Sequence, residues 1–182
     1  VWCNGSTSDF GSLSLRSNRG TSTKNDDKMK KLSAGLVVFR RMDDKIEFLV
    51  GHPGGPFWVG KNYWTFLKGE IDFAKDKTAL DAAMREFKEE TGILLSKDLP
   101  YIFLGNVNQN PEKDVIAFAV EYPEIDVAKC KSNTCEVIIY GEKVEIPEID
   151  RYTWMSYEEL KRRTHSSHLV FYEKVLELFK NR

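Results

Sequence analysis

The sequence predicts an α/β or α+β layered sandwich built as one domain. Three observations lead there. The chain has 182 residues, 41% of them apolar and 12% aromatic, enough for one real core. From Lys31 onward, short runs rich in Val, Ile, Leu and Phe alternate with segments of helical period. The longest apolar runs, such as 34–39, fall far short of the ~20 residues a membrane-spanning helix needs.

The elements follow in order. Ser33–Arg40 and Ile46–His52 read as strands, and the turn at 43–45 makes them a hairpin. A loop rich in Gly and Pro, 53–62, leads to a short strand over Tyr63–Leu67 and then Lys68-Gly69. Thr78–Thr91 reads as a helix: Thr78 with Asp81 suits its start, and Gly92 suits its end. Tyr101–Val107 and Val115–Glu121 are apolar strands flanking a turn at Asn110-Pro111. Lys143–Ile146 and Tyr152–Met155 are short strands; Ser156 with Glu159 opens a helix, and another runs from about Ser167 to Lys180. Residues 1–28 differ: Ser, Thr, Gly and Asn make up 15 of them, without apolar period. They read as a disordered or tag-like tail, with the folded domain starting near Met29 and running to 182.

Charge excludes some functions. Lys plus Arg number 27 and Asp plus Glu 28, a net charge of -1, so binding to long nucleic acid through phosphate attraction is not expected. The three cysteines, Cys3, Cys130 and Cys135, form no disulfide framework and lack a C-x-x-C spacing. A soluble, cytoplasmic protein that binds no membrane is expected.

The chemistry concentrates in Arg85-Glu86-Phe87-Lys88-Glu89-Glu90-Thr91-Gly92-Ile93. At ~100° per residue, Leu80, Ala83, Met84 and Phe87 share an apolar face, and Glu86, Glu89 and Glu90 share the next one. Ala82 and Ala83 are expected to leave space in front of the carboxylates. Arg85 stands four residues before Glu89 and can pair with it. Three carboxylates within one turn repel, and at a helix C-terminus the dipole disfavours them further. A hard divalent cation, Mg²⁺ or alternatively Mn²⁺, resolves that repulsion. A solvated acidic face is the plainer alternative.

This segment resembles the signature of the Nudix hydrolase superfamily, G-x5-E-x7-R-E-U-x-E-E-x-G-U with U apolar. Arg85-Glu86-Phe87, Glu89-Glu90 and Gly92-Ile93 match its second half at every specified position. Ser33-Ala34-Gly35, His52-Pro53-Gly54-Gly55-Pro56-Phe57-Trp58, Trp64-Thr65, Lys68-Gly69-Glu70, Ser132-Asn133-Thr134 and Pro147-Glu148-Ile149-Asp150-Arg151 are similar to a branch of predicted NTP pyrophosphohydrolases. The approach through Lys68-Gly69 also resembles the diadenosine tetraphosphate hydrolases. The first half departs from the pattern. Gly69 lies two residues too far upstream, and Lys77 stands where the motif has Glu. Lys77 beside Arg85 is repulsive unless Asp72 or Asp76 intervenes.

The resemblance implies an α/β/α sandwich with a mixed, partly antiparallel sheet. It implies Mg²⁺-dependent hydrolysis of a phosphoanhydride bond in a nucleoside diphosphate-linked compound, a nucleoside triphosphate or dinucleoside polyphosphate. Glu86 and Glu90 are the main metal ligands, Glu89 a ligand or base, and the Gly69 carbonyl a further ligand. Arg85 orients Glu89. Lys68 meets a phosphate or is solvated. Trp58 and Tyr63, with Phe57 and Trp64 nearby, offer a wall for a base to stack on. Glu121 and Glu136 are candidate bases outside the helix. His165 and His168 read as surface residues, and Cys130 and Cys135 as inert. The partner is then a small nucleotide, and the protein a monomer or homodimer. A catalytically weak nucleotide-sensing or partner-binding module is the alternative. An RNA-end hydrolase is a third reading, limited by the absence of a basic stripe.

Overall fold

The computed structural model describes residues 30–43 and 45–180. The expected tail and the start of the domain at Met29 lie outside the described residues. The centre of the fold is β1 (Lys31–Met42), whose long apolar run is buried on both faces. It forms the expected antiparallel hairpin with β2 (Lys45–Pro53), with Met42 facing Lys45. Its first half pairs antiparallel with β3 (Leu67–Glu70), and its other edge runs parallel to β5 (Lys113–Glu121). β4 (Ile102–Asn110) and β8 (Ile149–Ser156) complete a six-stranded mixed sheet in the order β4-β5-β1-β2-β8, with β3 beside β1.

Alternation along β1 divides the core. Ala34, Leu36 and Val38 face α1 (Ala79–Thr91), packing with Ala82, Ala83, Met84 and Phe87. Val37 and Phe39 face the other way, toward Phe66, Leu160 of α2 (Tyr157–Leu160), and Phe171, Tyr172 and Val175 of α3 (Leu169–Phe179). The result is the expected α/β/α layering. Among the described residues, no helix is long and apolar enough to cross a membrane.

Four details differ from the sequence reading. The strand expected over Tyr63–Leu67 begins at Leu67; Thr65 contributes a lone bridge to Gly51. β6 (Thr134–Ile139) was not anticipated; it pairs with β7 (Glu142–Pro147) in a separate two-stranded sheet. Its side chains alternate between exposed and half-buried, so its apolar run Val137-Ile138-Ile139 packs into no core. Ala82 and Ala83 do not open space before the carboxylates; they are buried against the sheet, where small side chains let α1 approach closely. His168 is buried rather than superficial, packed edge-on against Phe66 and bonded to Gln109.

Candidate active site

Local sequence sets the helix ends. Thr78 is extended (φ -137°) and its hydroxyl accepts the Asp81 N–H, a cap worth about 1 kcal/mol. Gly92 closes the helix with φ 74°, a left-handed conformation that costs glycine little. β8 holds the far end: the Tyr152 hydroxyl donates to the Glu90 carbonyl at 2.5 Å.

Tertiary packing then aims the carboxylates. Glu86 and Glu90 are each 2% exposed and turn toward β3. Glu90 accepts the backbone N–H of Lys68 at 2.7 Å. The Glu86 carboxylate lies directly against Gly69, where any Cβ would overlap it. The glycine is thus required by the site's own carboxylate. Glu89 is the most open of the three, its side chain 39% exposed.

Arg85 braces this arrangement. Its Nη1 donates to Glu86 at 2.7 Å and to Glu89 at 3.1 Å, and its Nη2 to the Glu70 carbonyl at 3.0 Å. The expected contact to Glu89 is therefore present. The far side of the guanidinium is clasped by Asp76, Nε to Oδ1 at 2.9 Å and Nη2 to Oδ2 at 2.8 Å, with the Asp76 side chain only 3% exposed. Such a two-point, charge-assisted pair fixes orientation as well as charge. It raises the basicity of Arg85 and pulls the Asp76 carboxyl below the ordinary aspartate range.

Asp76 therefore gives Arg85 the acidic partner that Lys77, its neighbour in the chain, cannot. The loop holds Asp76 in place: Asp72 N–H donates to Asp76 Oδ2 at 2.8 Å, and Asp76 N–H to the Asp72 carbonyl at 2.7 Å. Lys77 points outward and is exposed. Asp76→Ala should lower kcat ~10–100-fold, as loss of a supporting partner typically does. Lys77→Glu should leave it within about twofold, because exposed substitutions away from such contacts are near neutral. Steady-state kinetics on the two variants decides between these positions.

The electrostatics are strained. Burial, only partly offset by Arg85, raises the Glu86 carboxyl above its usual value. Burial raises Glu90 well above it; Lys68 opposes this and Glu86 adds to it. Lys68 is not a solvated lysine: it is 1% exposed, and burial with the nearby charge of Lys113 pushes its ammonium down to about 7 against the pull of Glu90 and Glu86. Carboxylates and ammonium groups thus share one neighbourhood at the end of the sheet.

Glu148, between β7 and β8, is a functional candidate the sequence reading did not single out. Burial raises its carboxyl, and Glu86 and Glu89 contribute by repulsion. Its membership in Pro147-Glu148-Ile149-Asp150-Arg151 was the available signal. The two bases considered earlier are engaged elsewhere, Glu121 by Arg41 and Glu136 by Lys143. Trp58 and Tyr63 do come together, stacked with centroids 5.0 Å apart at 28°. Trp64 instead packs edge-on against His52. Cys130 is a free thiol, not paired with Cys135, and burial raises it to about 11, which keeps it protonated and unreactive.

Among the described residues, no three His, Cys, Asp or Glu side chains stand as a ready-made ligand cluster. The donor chemistry nevertheless fits a hard divalent cation: carboxylate oxygens whose mutual repulsion is visible in Glu86 and Glu90, beside a glycine backbone kept clear of any Cβ.

A family model described as NUDIX domain matches residues 29–175. The chain is 26% identical over 149 residues to an RNA pyrophosphohydrolase of Sulfurovum sp., covering 80% of this chain and 89% of that one. It is 41% identical over 61 residues to a Bis(5'-nucleosyl)-tetraphosphatase [asymmetrical] of Caenorhabditis elegans, covering 34% of this chain and 40% of that one. In fold, it matches the NUDIX domain of Shewanella oneidensis NrtR complexed with ADP ribose, with TM-score 0.59 at 14% identity, covering 83% of this chain and 90% of that one.

Proposed function

The chain belongs to the NUDIX domain family, and from that premise we propose that it is a Mg²⁺-dependent hydrolase of nucleoside diphosphate-linked compounds. Its expected substrate is a nucleoside triphosphate or dinucleoside polyphosphate, cleaved at a phosphoanhydride bond in the cytoplasm. The observation that carries the reading is the Asp76–Arg85 brace. It gives Arg85 an acidic partner despite the lysine at position 77, which supports a catalytic over a merely binding role.

Glu86, Glu89, Glu90 and the Gly69 carbonyl would hold Mg²⁺, or Mn²⁺ in its place. The ion supplies neutralisation of charge on the phosphate chain. The protein's own residues position the reaction. Arg85 fixes Glu86 and Glu89 from one guanidinium. Lys68 holds Glu90 through its backbone N–H, and its buried ammonium is placed to offset the Glu90 and Glu86 carboxylates rather than to meet a substrate phosphate. Glu89, the open carboxylate, can take a proton from the attacking water, and Glu148, near enough to feel its charge, is a second acceptor. The Trp58–Tyr63 stack offers an aromatic plane that a nucleobase can extend.

The test is incubation with Mg²⁺ and a panel of nucleoside triphosphates, dinucleoside polyphosphates, nucleotide sugars and a 5'-triphosphorylated RNA oligonucleotide. Products are resolved by chromatography. Metal-dependent release of a nucleotide product from one member is expected. Nucleotide binding without turnover across the panel would sink the enzyme reading in favour of a sensing module.

A further inference from the structure

His52 takes no part in the chemistry above, yet it is fully buried and both of its ring nitrogens are engaged. Nδ1 lies 2.7 Å from Oδ1 of Asp150, and Nε2 lies 2.8 Å from the backbone carbonyl of Lys61. A carboxylate and a carbonyl can only accept. A neutral imidazole has one N–H, so it can satisfy only one of the two. Both contacts are hydrogen bonds only when the ring carries both protons, and Asp150 supplies the balancing charge.

The contacts join three parts of the chain. His52 ends β2, Asp150 lies on β8, and Lys61 lies in the loop at 54–64 that carries Trp58 and Tyr63. The same loop is tied at its two ends by Gly54 N–H to the Glu148 carbonyl and Trp64 N–H to the Arg163 carbonyl. His52 therefore grips the loop between its ends. Two further charged side chains stand near the ring among the described residues. Arg151 pairs with His52 across β2 and β8, donates to Asp150 at 3.3 Å, and lies 5.6 Å over the Trp64 ring. The Lys61 ammonium is turned to the Trp58 ring at 5.0 Å. The edge-on Trp64 closes off His52, with ring centroids 5.4 Å apart.

We propose that His52 is a positioning residue: as an imidazolium seated on Asp150, it clamps the Lys61 carbonyl and thereby fixes the Trp58–Tyr63 stack for nucleotide binding. The binding half of this statement rests on the reading of that stack as the nucleobase wall. When the ring loses its proton, Asp150 keeps the remaining N–H because a carboxylate is the stronger acceptor. Nε2 then turns a lone pair toward the Lys61 carbonyl, and the loop is released.

The test uses the full chain labelled with ¹⁵N-histidine. There are three histidines, and His52→Gln assigns the signal. A long-range ¹H–¹⁵N spectrum should show both His52 nitrogens protonated. Asp150→Asn should convert the ring to a neutral tautomer and speed amide exchange over residues 57–62 about tenfold or more. It should raise KM for the nucleotide roughly five- to tenfold with kcat within about twofold, since only binding is touched. A neutral ring in the unmodified protein overturns the clamp, as does unchanged exchange in Asp150→Asn. Faster exchange with KM unmoved upholds the clamp but overturns its link to nucleotide binding, and with it the nucleobase-wall reading. The ring and exchange measurements need no turnover, so they remain decisive if the proposed hydrolysis fails.

Discussion

Glu90→Gln is expected to lower metal-dependent turnover ~10²–10³-fold while the protein stays folded. Glutamine keeps an oxygen in place to accept the Lys68 N–H at this fully buried position. It removes a charge that the fold holds at a cost. Burial raises the Glu90 carboxyl well above its ordinary value of 4.5, which means that the folded state binds its proton more tightly than the unfolded chain does. A group of this kind contributes its full stability below the ordinary value, and that stability is lost as pH rises through the raised one. Metal-free Glu90→Gln should therefore melt higher than the parent at about pH 8, with the difference shrinking below about pH 4. Calorimetric melts at the two pH values, beside metal titrations, check this. A lower melting temperature at the higher pH would show that Glu90 is held by compensating contacts and is not a strained ligand.

Gly69→Ala is the second large effect. The added Cβ would overlap both oxygens of the Glu86 carboxylate, so either Glu86 leaves its place beside Arg85 or β3 shifts away from α1. Because β3 is hydrogen-bonded along β1 at the Ala34–Gly69 register, the carboxylate is the part that yields. Overpacking of this kind costs about 1–3 kcal/mol. Turnover should fall ~10²-fold or more, since Glu86 and the Gly69 backbone are disturbed together. Combining Gly69→Ala with Glu86→Ala separates the causes. The double variant should recover most of the lost stability and none of the activity, as measured by denaturant unfolding and steady-state rates. Failure of Glu86→Ala to restore stability would place the clash elsewhere.

Both expectations depend on features that differ in how far a sequence can reveal them. The helix Ala79–Thr91 was readable because its information is local: a capping threonine, a closing glycine, and carboxylates at helical spacing. The β1–β2 hairpin was readable for the same reason. The strand at Thr134–Ile139 lies in a small hairpin outside the main sheet, so its Val137-Ile138-Ile139 run has no place in the alternation of core strands and helices that the sequence reading followed. The position of β3 was shifted because the pairing of Thr65 with Gly51 and of Leu67 with Leu36 is decided by register on β1 and β2, not by residue preference.

The sequence by itself determined the layered fold, the helix, the glycine before it and the three glutamates with their arginine, since spacing along one helix dictates which side chains share a face. Only the tertiary structure decided that Asp76 pairs with Arg85, that Lys68 is buried while its N–H meets Glu90, that Glu148 lies within electrostatic reach of Glu86 and Glu89, and that His52 bridges Asp150 to Lys61. Each of these joins segments that are distant along the chain or separated by a loop of unusual length. Such contacts are set by how the sheet brings its strand ends together, and no local pattern of residues encodes that distance.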